Sequence, residues 1–112
     1  MDRKEMVRKY KETPRPAGVY RVVHRPSGRT LLGSSPDAPA MLNRVRAQLR
    51  MKGHPNPLLQ ADWEADGPDA FLFEVVDLLP PPDNVGQDPT EELTMLEELW
   101  REKLDLPGDS LY

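Results

Sequence analysis

Cysteine is absent from the 112 residues, so neither a disulfide framework nor a thiolate metal site can be built. Long apolar runs are absent too. No stretch approaches the roughly 20 residues that a membrane helix needs, and no apolar segment precedes a small-residue cleavage site. A soluble, cytoplasmic protein with no membrane partner is therefore expected. Internal repeats are missing, which excludes a solenoid.

An overall basic charge is also lacking: the net charge is −4. The average hides a division. Residues 1–54 hold 13 Lys/Arg against 4 Asp/Glu, and residues 55–112 hold 2 against 15. A basic face can thus exist on an acidic protein, or the two halves can neutralise each other by packing together. At 38% hydrophobic content, the chain suits one small domain over 1–112. It divides into an N-terminal helical extension (1–16), a core (17–104) and a tail (105–112) without regular signal.

Asp2 to Glu12 reads as a polar helix ended by Pro14 and Pro16. Ala17 to Arg25 alternates as a strand, with Tyr20, Val22 and His24 on one face and Val19, Arg21 and Val23 on the other. Pro26-Ser27-Gly28 turns the chain, and Arg29 to Ser34 returns it. From Asp37 to Lys52, Ala38, Met41, Leu42, Val45 and Leu49 recur at helical spacing. Arg44 and Arg46 lie off that stripe on opposite flanks.

Asn56-Pro57 has the order of an N-cap and a first helical residue, opening a short helix with Leu59 and Trp63 one turn apart. Phe71 to Leu79 is apolar on both faces, as expected for a strand covered on both sides. Within it Glu74 stands out, because a carboxylate among Leu72 and Val76 must be paired, hydrogen-bonded or bound to a cation. Asp88-Pro89 with Glu91 resembles a capping box, followed by Leu93, Leu96, Trp100 and Leu104 on a last helix. The expected class is α+β, a small three-stranded antiparallel sheet flanked by helices.

Gly18-Val19-Tyr20 and Leu31-Leu32-Gly33 on paired strands, with a helix directly behind, resemble the opening of the GIY-YIG nuclease family. Gly53-His54, Asn56, Leu59-Gln60-Ala61-Asp62-Trp63, Gly67 and Phe71 to Val75 extend the resemblance to small stand-alone bacterial members. It covers the chain from about Ala17 onward. The resemblance implies Mg²⁺-dependent (or Mn²⁺-dependent) hydrolysis of a DNA phosphodiester, with DNA as partner. The developing negative charge in such a reaction calls for an arginine and a divalent metal, and the attacking water must be positioned.

By that resemblance Tyr20 sits near the nucleophilic water, Glu74 is the metal-binding glutamate, His54 approaches the phosphate, and Arg44 (or else Arg46) supplies the catalytic arginine. Each has a plainer reading: an amphipathic core tyrosine, a structural ion pair, a cap histidine, a solvated helix face. Three positions depart from the family pattern. Leu31 replaces the second motif tyrosine, Met41 stands where distant members place their arginine, and the family's late asparagine would follow Tyr112. Glu74 is expected to look toward Tyr20 from the same side of the sheet, and the nuclease assignment depends on that placement.

Two alternatives stay open: a catalytically degenerate module of this fold that binds nucleic acid, and a protein-interaction module using the acidic C-terminal helix. A solvent-facing set of Glu91, Glu92, Glu97, Glu98 and Glu102 is what the interaction module requires. A monomer is expected.

Overall fold

The computed structural model describes residues 16–80, 88–106 and 108–112; the helix expected over residues 2–12 lies outside them. Strands β1 (Gly18–His24), β2 (Thr30–Ser35) and β3 (Phe71–Leu78) form an antiparallel sheet in the order β2-β1-β3. Helices α1 (Ala38–Arg50) and α2 (Pro57–Asp66) follow the hairpin, and α3 (Thr90–Leu104) follows β3. The fold is therefore α+β, as the alternation and helical spacing predict.

Local chemistry sets most boundaries. Gly28 takes φ +78° in the β1–β2 turn, where its N–H donates to the His24 carbonyl at 2.7 Å. Asp37 caps α1 by accepting from the Ala40 N–H, and Asn56 caps α2 by accepting from Leu58 and Leu59. At α3 the expected reciprocal box does not form. Asp88 instead accepts from the N–H and hydroxyl of Thr90.

The first motif strand, β1, is central because it alone pairs with both others. This corrects one expectation. β3 is an edge strand, and of its residues Phe71 alone is fully buried, so its apolar run is covered less than its composition suggests. One face of the sheet packs Val22 and Phe71 against Leu42, Val45 and Leu49 of α1 and Leu59 and Trp63 of α2. Val19 and Leu32 are buried outside that cluster, as is Leu93 of α3, which packs against β1 and β2.

The register between β1 and β3 slips once. Tyr20 pairs with Val75 and Val19 with Asp77, leaving Val76 unpaired as a bulge. As a result Glu74 and Asp77, three residues apart, share the Arg21 and Val19 face. Asp77 there accepts the indole N–H of Trp100 at 3.0 Å and ties α3 to the sheet.

The tail is also ordered against the core. Leu111 bridges Thr30, Tyr112 N–H donates to the Thr30 carbonyl, and the Tyr112 hydroxyl donates to Asp62 at 2.5 Å. Asp62 also meets Arg29 at 3.4 Å, and buried His24 lies between Asp66 and Ser27, 2.6 Å from each. Among the described residues, no helix is long and apolar enough to cross a membrane.

Candidate functional site

Tyr20 stands on the central strand and leans over the edge strand. Its register partner there is Gly33, the last residue of the second motif. A β carbon placed on Gly33 would lie 2.5 Å from the phenol oxygen and 2.7 Å from the carbon bearing it. Glycine at this position is therefore a steric requirement of the tyrosine ring. The phenol's pKa is raised above its ordinary value, first by burial and then by the negative charge of Glu97. At neutral pH the group is an intact O–H donor.

Glu97 was not singled out by sequence reasoning as part of the site. It lies on the inward stripe of α3 defined by Leu93, Trp100 and Leu104, and Arg101 holds its carboxylate at 3.2 Å. A usable signal was present: an acid at helical spacing between a buried leucine and a tryptophan is out of place in an apolar stripe.

Glu74 does not occupy the expected position. It is the register partner of Arg21, and the guanidinium binds it twice, Nε at 2.8 Å and a terminal nitrogen at 2.7 Å. Since Tyr20 directly precedes Arg21, the strand's two-residue period puts Tyr20 and Glu74 on opposite faces of the sheet. The Arg21 guanidinium satisfies the carboxylate, and the expected placement of Glu74 on the Tyr20 side of the sheet is not observed.

The two arginine candidates separate as well. The Arg46 guanidinium stacks 4.4 Å from the centre of the Phe73 ring on β3. Tyr20 leans the other way, toward β2. The opposite flank of α1 carries Met41, packed on the core, and one turn later Arg44, exposed and without a partner among the described residues. His54 lies in the α1–α2 connection. Its N–H donates to Gln60, its Nδ1 accepts the Asn56 N–H at 3.0 Å, and Gln60 in turn donates to the Leu49 carbonyl. Burial lowers the His54 pKa. Among the described residues no hydrogen bond or ion pair joins it to Tyr20 or Glu97.

No group of three or more His, Cys, Asp or Glu side chains suited to a metal ion exists among the described residues. A single carboxylate is compatible with Mg²⁺, which keeps most of its water and takes one or two protein oxygens plus phosphate. Glu97 and Glu74 are both partly exposed; Arg101 holds Glu97 through one nitrogen, and Arg21 holds Glu74 through two.

The chain has a GIY-YIG-like fold. Two solved structures share it at a TM-score of 0.62, and both are the catalytic domain of the intron homing endonuclease I-TevI, one of them a glutamate-to-alanine mutant. They are 17% and 18% identical to this chain; each alignment covers 80% of it, and 84% and 88% of the respective I-TevI chains. No family model and no curated protein matches the sequence.

Proposed function

We propose that the chain is a metal-dependent DNA endonuclease of the GIY-YIG type whose active site uses Tyr20, Glu97 and Arg44. The observation that carries this reading is the placement of a protonated phenol, laid over Gly33, within the field of the Glu97 carboxylate. The likeness to the I-TevI catalytic domain supports it at the level of fold.

In this reading the Tyr20 hydroxyl donates to the attacking water or to a phosphate oxygen and fixes its position. Arg44, without a partner among the described residues, balances charge on the phosphate from the neighbouring flank of α1. Glu97 would hold Mg²⁺ or Mn²⁺, which when bound supplies charge neutralisation and acidifies coordinated water. Arg101 positions Glu97. Leu31, in place of a second tyrosine, removes one hydrogen bond to the reacting water. Arg46 and His54 are left with structural work, on Phe73 and in the α1–α2 connection.

The test is nicking of supercoiled plasmid in Mg²⁺ or Mn²⁺ by the wild type, Glu97→Ala and Glu74→Ala. Loss of one transition-state contact typically costs about 10²- to 10³-fold. The Glu97→Ala protein is expected to lose activity on that scale, and the Glu74→Ala protein to keep it. Equal nicking by wild type and Glu97→Ala overturns the assignment.

A further inference from the structure

Two surfaces of this molecule are complementary to each other and are not joined within it. The first is the outward face of α3. Glu91, Met95, Glu98, Leu99 and Glu102 fall at helical spacing and are all exposed, with Met95 66% and Leu99 46% accessible. Among the described residues, none of the Glu91, Glu92, Glu98 and Glu102 side chains takes part in a hydrogen bond or ion pair; of the acids in α3 only Glu97 does so, with Arg101. The solvent-facing acids that an interaction module requires are therefore present, apart from Glu97.

The second surface is an open groove of about 330 Å³ where the end of α1 meets α2. Leu49 and Trp63 form its floor, and Arg50 and Lys52 its basic rim; Glu64 also lines it. Met51, between the two cations, is 81% exposed. Among the described residues neither Arg50 nor Lys52 has an ion-pair partner, and no ion pair links α1 to α3. Among the described residues, the basic and acidic halves meet through Arg21–Glu74 and Arg29–Asp62.

We propose that the groove of one molecule receives the α3 face of a second copy: Met95 and Leu99 seat over Met51 at its mouth, and Glu98 and Glu102 meet Arg50 and Lys52. The occupant is a second copy because this chain itself carries both halves of the match, an exposed apolar pair flanked by carboxylates and an exposed methionine flanked by cations. A symmetric α3-to-α3 contact is disfavoured, since it would place carboxylates against carboxylates. The contact is head-to-tail, so each molecule retains one free surface of each kind and association continues with concentration. Desolvation adds to the attraction only where the apolar residues meet; the rest is electrostatic and is screened by salt. This inference does not depend on the nuclease reading, because it uses none of Tyr20, Glu97 and Arg44.

The experiment is sedimentation velocity on the full chain at about 20 mM and about 500 mM NaCl, with two charge-reversed variants, E98K/E102K and R50E/K52E. The wild type should sediment faster as its concentration rises at low salt and return to a monomer at high salt. Each variant alone should remain monomeric at low salt, because its two surfaces then carry the same sign. An equimolar mixture of the two variants should associate again. All exchanged positions are exposed, and circular dichroism confirms that each variant is folded. A wild type that stays monomeric at low salt, variants that associate as the wild type does, or a mixture that fails to associate each overturns the proposal.

Discussion

The phenol ring of Tyr20 rests on Gly33, its cross-strand neighbour, closely enough that a single methyl group at position 33 would collide with the hydroxyl oxygen. The backbone at Gly33 lies outside the left-handed region, so conformational freedom is not the issue. Gly33→Ala should therefore act through the tyrosine alone. Overpacking of this kind costs about 1–3 kcal/mol. A urea melt should show that loss. Gly33→Ala combined with Tyr20→Ala should recover part of it, because the colliding ring is gone.

The charge of Glu97 on Tyr20 can be read directly. Burial and Glu97 both raise the phenol above its ordinary value, and burial is the larger cause. Glu97→Gln should lower the Tyr20 pKa without returning it to the ordinary value. Ultraviolet difference titration against a Tyr20→Phe control measures this. An unchanged midpoint would show that the two groups do not interact.

Tyr112 reports on the tail. Its hydroxyl donates to Asp62, and burial followed by that carboxylate raises its pKa far above 10.0. Between the unfolded and folded pKa values the unfolded chain releases a proton that the native protein retains. Stability contributed by Tyr20 and Tyr112 is thus complete below pH 10 and declines as pH rises beyond it. Thermal melts should fall on the alkaline side, less steeply in Tyr112→Phe. At neutral pH that variant should lose about 1.5–3 kcal/mol, the usual scale for a hydrogen bond to a charged acceptor.

Arg21 on the central strand and Glu74 on the edge strand β3 form a partly exposed pair. Exposed pairs typically couple by about 0.2–1 kcal/mol. A double-mutant cycle over Arg21→Ala and Glu74→Ala, followed by chemical denaturation, should give a coupling in that range and little change in plasmid nicking. A large loss of nicking in Glu74→Ala at unchanged stability would return Glu74 to the active site.

Much of the fold was legible in the residues because it depends on local chemistry. The caps at Asp37 and Asn56, the turn at Gly28 and the stripe of Leu42, Val45 and Leu49 are properties of neighbouring residues and their spacing. The alternation of β1 by itself puts Tyr20 and Arg21 on opposite faces. The isolated carboxylate of Glu74 was rightly seen to need a partner. Its partner, however, depended on which β1 residue stood opposite, and register between strands 53 residues apart is not a local property.

What the sequence determined by itself was an α+β chain of hairpin, helix pair, strand and helix, with the tyrosine and glycine of its two motifs on paired strands, because periodicity and capping act over a few residues. Only the tertiary structure decided which carboxylate acts on the phenol. The bulge at Val76, the seating of α3 through Trp100 and the cross-strand claim of Arg21 on Glu74 are long-range choices. They turn Glu74 to the far face and leave the charge of Glu97 acting on the Tyr20 phenol.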